Sequence, residues 1–155
     1  MQSGGFALMA TLSLLATSCG GMIATTHVPQ ETLISAVASF STRDESKEAD
    51  SAVTVDLLSI AIPVARARTS GTAFVALSTS EPMPLVVVKP FMPGEVNSSA
   101  LRLRFATSWR DTWYFDVGLT LAFSDGTTQR FYWSDIRLNV VEPEKTLSLA
   151  SGRVP

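Results

Sequence analysis

Between Trp113 and Phe123 every odd-numbered residue is apolar (Trp113, Phe115, Val117, Leu119, Leu121, Phe123), while Asp116 and Thr120 point the other way. A period of two places alternate side chains on opposite faces of an extended chain, so this segment is a strand with one buried face. Asp125-Gly126 follows, a pair that tolerates positive φ in a tight turn, and Phe131 and Trp133 continue one face on the return. After Trp133 the apolar parity switches to Ile136, Leu138 and Val140. A one-residue shift turns these to the opposite face, so a bulge or break is expected near Ser134-Asp135, where the strand would also be free to cross between two sheets.

Similar short runs of β-branched and aromatic residues, separated by turn clusters, begin at Ala52. They predict strands over 52–62, 72–79, 84–89, 101–107, 112–124, 127–133, 136–141 and 145–150, with no helix of three turns among them. The expected fold is all-β, an antiparallel two-sheet β-sandwich of about seven or eight strands. Pro82, Pro84, Pro90 and Pro93 bracket Leu85–Val88 and mark that strand as an edge or a rigid loop at the rim, with Phe91 and Met92 packing beneath it. The segment 32–40 fits both helical spacing (Leu33, Val37, Phe40) and strand composition, with strand slightly ahead.

The chain has 155 residues and a formal charge of −2, which argues against a dedicated nucleic-acid binder. One His and one Cys exclude a His/Cys zinc cage and a disulfide framework. His27, the sole imidazole, lies in apparent tether, a poor place to preorganise a catalytic base. Asp111, Asp116, Asp125 and Asp135 lie near turns or strands, but nothing marks two of them as a glycosidase pair. No enzyme activity is expected.

The first charged residue is Glu31. Phe6–Ala16 is an apolar run of signal-peptide length, shorter than the ~20 residues that span a bilayer. Small residues Ala16, Thr17 and Ser18 then precede Cys19 and Gly20. Ala16-Thr17-Ser18-Cys19-Gly20-Gly21 resembles the lipobox of bacterial lipoproteins, in which the cysteine thiol carries diacylglycerol. The resemblance implies a signal peptide over 1–18, lipidation of Cys19, membrane anchorage and residence in the cell envelope. In a Gram-negative cell, Gly20 rather than Asp after the cysteine implies the outer membrane. Plain secretion of a soluble protein and an uncleaved structural helix are the alternatives. Residues 19–51 then read as a lipid-anchored tether, apart from a first strand at 32–40, and residues 52–155 as the sandwich domain. Asn97-Ser98-Ser99 fits a glycosylation sequon, which the lipobox reading makes incidental.

Asp111–Thr127, with the charged segment Arg43–Asp50 leading into Ala52-Val53-Thr54-Val55, resembles a recurrent pattern in small exported β-sandwich proteins. These are similar in plan to PLAT-like modules, many of which bind lipid surfaces or protein partners and some of which use calcium. No PLAT calcium-loop motif is visible.

Two sets of residues are candidates for binding. Asp44, Asp50 and Asp111 are the first candidates for a calcium site at one end of a sandwich, because hard cations need several oxygens and loops can converge there; a solvated linker is the plainer reading of the charge run. Trp109, Tyr114 and Tyr132 fall outside the core parity that claims Phe105, Trp113, Phe115, Phe123 and Phe131, and are candidate ligand contacts. Arg102 and Arg104 share one face opposite Leu101, Leu103 and Phe105, as Arg66 and Arg68 share another, and a basic face suits anionic headgroups or glycans. Asp116 is expected to pair across strands with Arg102, Arg104 or Arg130. The expected function is a non-catalytic interaction or structural module at the envelope surface, held to the membrane by its lipid and partnered by an envelope protein or glycan. It needs no cofactor. The alternative is a calcium-assisted sandwich that binds lipid headgroups or glycans.

Overall fold

A computed structural model describes residues 30–107 and 111–154. Eight strands run in chain order: β1 (Leu33–Thr42), β2 (Ala52–Ser59), β3 (Ile62–Thr69), β4 (Met83–Val87), β5 (Ser99–Ala106), β6 (Thr112–Phe123), β7 (Thr128–Asn139) and β8 (Glu144–Ser148). A 3-10 turn covers Pro93–Ser98, and a single helical turn, α1, covers Leu149–Gly152. Every pairing between strands is antiparallel, and all eight belong to one sheet in the order β7-β6-β1-β4-β3-β2-β5-β8.

The expected two-sheet sandwich is therefore corrected to one sheet curled into a nearly closed barrel. Two strands join what would have been separate layers. β1 lies between β6 and β4, with registers that include Phe40↔Val117 and Ala36↔Leu85. β4, expected at an edge because of its prolines, is interior to the sheet. It manages this by stagger: residues 83–85, including Pro84, pair with β1, and Val86 and Val87 pair with β3. The proline thus sits where only one neighbour is hydrogen-bonded. The described part of the segment expected as tether, residues 30–51, carries β1 and the fully buried Lys47.

The hairpin read from alternation is present. Gly126 has φ 84°, Asp125 Oδ1 accepts the Thr127 N–H at 2.9 Å, and every odd residue from Trp113 to Phe123 is buried. β7 is continuous but bulged at Ser134–Asp135: Phe115 pairs with Ile136 and Val117 with Trp133, and Asp135 has φ 58°. The bulge changes parity within one sheet rather than carrying the strand to another.

Other expectations shift. The expected strand 52–62 is cut at residues 60 and 61 by a two-residue turn, and β3 follows at once. Residues 72–79 form a loop with single bridges at Lys47↔Phe74 and Ser41↔Thr79.

Inward side chains fill the barrel, as in other barrels of eight strands. Trp113 and Phe115 stack at 3.8 Å, Phe40 and Phe74 pack on Trp113 at 5.2 and 5.0 Å, and Trp113 Nε1 donates to Thr42 Oγ1 at 3.1 Å. At the other end Phe91 is fully buried 6.4 Å from Phe123, as expected for packing under its loop. The gap between edge strands β7 and β8 is filled by α1, and Arg153 bridges Phe131 while Val154 N–H donates to the Arg130 carbonyl at 3.1 Å.

Candidate functional site: an arginine face centred on a buried aspartate

In β2, Val53, Val55 and Leu57 point inward, so Thr54 and Asp56 face out. Register then brings Arg66 of β3 and Arg102 of β5 beside Asp56 from opposite sides, and Arg68 and Arg104 beside Thr54. All three closest arginines turn onto the one carboxylate. Arg66 Nε lies 2.5 Å from Oδ1, and Arg102 and Arg104 place Nη2 at 2.9 and 3.0 Å from Oδ2. Asp56 is completely covered although it faces outward, because the guanidinium groups lie over it.

Burial alone would push the Asp56 pKa up. Hydrogen bonds from Arg66 and Arg102 and the charges of Arg66 and Arg104 outweigh it, so the carboxyl is held below its ordinary value and stays ionised. One carboxylate cannot neutralise three guanidiniums. With Arg68 beside Thr54 and Glu144 opposite Arg104, the face carries four arginines against two carboxylates in a chain of net charge −2. Each guanidinium has five N–H donors, and the Asp56 oxygens engage a minority of them. Such a face offers a preordered set of donors to an oxyanion.

Arg102 and Arg104 were thus legible as an outward basic pair, while Asp56, which organises them, was missed. The available signal was an aspartate at outward parity inside the apolar run Val53–Leu58.

Asp116 does not pair with Arg102, Arg104 or Arg130. Its oxygens take Arg43 Nη2 at 2.9 Å, Tyr132 Oη at 2.8 Å and the Asp135 N–H at 3.0 Å, so it holds the β7 bulge in place. Arg43 comes from the end of β1, whose place beside β6 the sequence did not disclose. Tyr132 is half-exposed and committed to Asp116, and the Arg137 guanidinium lies 5.4 Å from the Tyr114 ring centre. The tyrosines therefore belong to β6 and β7 and share no platform with Arg102 and Arg104 on β5. Trp109, Cys19 and His27 lie outside the described residues.

Among the candidate metal ligands, Asp50 and Asp111 line one acidic cleft with Glu45 and Glu48, and Asp44 is not in its lining. Asp111 accepts from Ser51 Oγ at 2.7 Å and the Glu48 N–H at 3.2 Å. Lys47, between Ser46 and Glu48 of that lining, is itself buried and not part of it. The ammonium of Lys47 donates to the Glu48 and Thr72 carbonyls at 2.7 and 2.5 Å and lies 5.3 Å from the Phe74 ring centre. Burial lowers the Lys47 pKa, and the charges of Asp111, Asp50 and Glu48 oppose that shift. Among the described residues no three His, Cys, Asp or Glu side chains converge as a metal ion requires, and no helix is long and apolar enough to cross a membrane.

The chain matches no protein-family model, and a search of curated proteins returns no similar sequence.

Proposed function

We propose that this chain is an exported, lipid-anchored, non-catalytic β-barrel that binds an anionic envelope glycan through its arginine face. One observation carries the binding: Arg66, Arg102 and Arg104 are ordered by a single buried carboxylate and keep unspent positive charge on an exposed sheet surface. A sheet face suits an extended polymer, because Arg66 on β3 and Arg102 on β5 flank β2 at two strand spacings, about 10 Å, and Arg68 and Arg104 repeat the pair two residues along the strands. Anchorage is supported by the leader, by Cys19 and by the small residues before it. The inward apolar and outward polar alternation supports a barrel that stands beside the membrane rather than in it.

Two measurements test the two halves. Intact-mass analysis of the protein from native membranes should give a chain starting at Cys19 with diacylglyceryl and acyl groups; an unmodified mass removes the anchor. A Cys19→Ser chain should be retained on an immobilised sulfated polysaccharide and released by salt, as counterion release demands. Retention should be lost in an Arg66→Glu/Arg104→Glu variant that still folds. Equal elution of the two proteins would sink the binding half.

A further inference from the structure

The turn joining β2 to β3 is built from residues ill suited to it. Ser59 pairs with Ile62, leaving Ile60 and Ala61 as a two-residue loop with φ of 47° and 66°. Positive φ at both positions is the type I′ pattern, which favours Asn-Gly and disfavours a β-branched residue. Ile60 is also 77% exposed, so its side chain gains nothing from the barrel core. Neither the backbone conformation nor the exposure serves the fold.

The surroundings share this character. Ile62 and Val88 are exposed, and the Val88 and Lys89 N–H groups both donate to the Val64 carbonyl, at 2.8 and 3.2 Å, which ties the segment after β4 to the start of β3. The chain enters the barrel at this same end: Leu33 pairs with Phe123, the Thr32 N–H donates to Ser124 Oγ at 3.0 Å, and Gln30 reaches Met92. Residues 20–29 are all that separate Gln30 from Cys19, a reach of at most about 35 Å. The opposite end exposes Leu77, itself at φ 57°, and Val141 as well, but among Asp44, Glu45, Glu48, Asp50 and Glu142, a denser set of carboxylates than Glu31 and Asp125 at the tethered end and one that an anionic bilayer repels more strongly.

We propose that the barrel end bearing Ile60, Ile62 and Val88 rests in the interfacial region of the bilayer to which Cys19 anchors the chain. The inference rests on the anchored reading above. A short tether alone leaves the barrel free to tumble; an apolar tip at the tethered end fixes its axis.

The test uses the lipidated chain in vesicles of phosphatidylethanolamine and phosphatidylglycerol that carry a nitroxide-labelled lipid. An environment-sensitive dye is placed at Ile60→Cys or Leu77→Cys, the Cys19 thiol being blocked by its own diacylglyceryl group. Quenching several-fold greater at position 60 than at 77 is expected; equal quenching, or more at 77, overturns the orientation. The intact mass of the same preparations reports the anchor separately. Should Cys19 prove unmodified, flotation of the Cys19→Ser chain with these vesicles decides the apolar end by itself. Ile60→Asp, which tolerates the left-handed conformation, should cut the floated fraction roughly fivefold while Leu77→Asp leaves it unchanged. Absence of flotation, or equal effects of the two substitutions, overturns the proposal.

Discussion

Gly152 lies directly against the indole of Trp133: a Cβ there would overlap ring atoms Cε2 and Cζ2. This contact closes the barrel, because Gly152 ends α1 and the next residue, Arg153, bridges β7 at Phe131. Trp133 Nε1 is buried beneath it with no hydrogen-bond partner among the described residues, so the ring is held by packing. Gly152→Ala should lift the C-terminal segment off β7 and cost about 1–3 kcal/mol, the usual penalty of overpacking. Urea unfolding measures the loss, and faster amide exchange at Val154 locates it. Gly94→Ala, with nothing within 4 Å of the added methyl, is the control and should stay within about 0.5 kcal/mol of the parent.

Asp56→Asn removes the counter-charge from three arginines. Breaking a fully buried pair in this way costs about 3–5 kcal/mol; Arg66 and Arg104 remain nearly half-exposed, so screening brings the expected loss to about 2 kcal/mol. The pH dependence has a definite sign. The folded pKa of Asp56 lies below the ordinary 3.8, so its contribution is fully present above that value and is lost as pH falls through the folded pKa. The stability gap between parent and Asp56→Asn should therefore be constant from neutral pH down to about pH 5 and shrink below about pH 4. Urea titrations of both proteins across that range check it; a gap that persists unchanged into strong acid contradicts it.

Lys47 shares the sign of this pH dependence but not its cause, since here the charged form is the disfavoured one. Its folded pKa lies below 10.5, chiefly because of burial, so between the folded and unfolded values the unfolded chain binds more protons and stability rises with pH. Replacing a buried charge by an apolar side chain of similar length is often close to neutral, and Lys47→Met is expected to change stability at pH 7 by about 1 kcal/mol or less. The parent should then gain on the variant as pH approaches 10.5. Chemical denaturation at neutral and alkaline pH measures the difference, and a pH-independent difference rules this account out.

The β2–β3 turn should be improvable. A non-glycine residue in the left-handed region costs about 1–2 kcal/mol, and Ile60 and Ala61 both occupy it. Ile60→Asn with Ala61→Gly should stabilise the barrel by about 2 kcal/mol and raise Tm by several degrees in a thermal melt. An unchanged or lower Tm would mean that the turn does not hold this strain.

The hairpin β6–β7 was legible because its signals are local. A period of two from Trp113 to Phe123, Asp125-Gly126 at the turn and a parity change at Ser134–Asp135 each depend on residues within a few positions of one another. The turn at Ile60-Ala61 was not legible, since neither residue type favours positive φ; the expected strand ran through it to residue 62, and β3 fell almost wholly outside the expected strands. The basic pair Arg102 and Arg104 was visible as a period. Its organising carboxylate was not, because Asp56 reaches Arg66 across one strand pairing and Arg102 and Arg104 across another.

Alternation by itself determined that the chain is all-β and which face of β6 is buried, since side-chain direction along a strand is fixed by backbone geometry. It did not determine what each face is buried against. That one sheet curls nearly shut, with β1 inserted between β6 and β4, depends on pairings such as Leu33↔Phe123 between residues far apart in sequence. The same long-range pairings place Arg43 on Asp116, Lys47 beneath the loop at Phe74, and Gly152 against Trp133. Each of these contacts is set by which strands become neighbours, a choice made by the packing of the whole barrel and written in no single stretch of the chain.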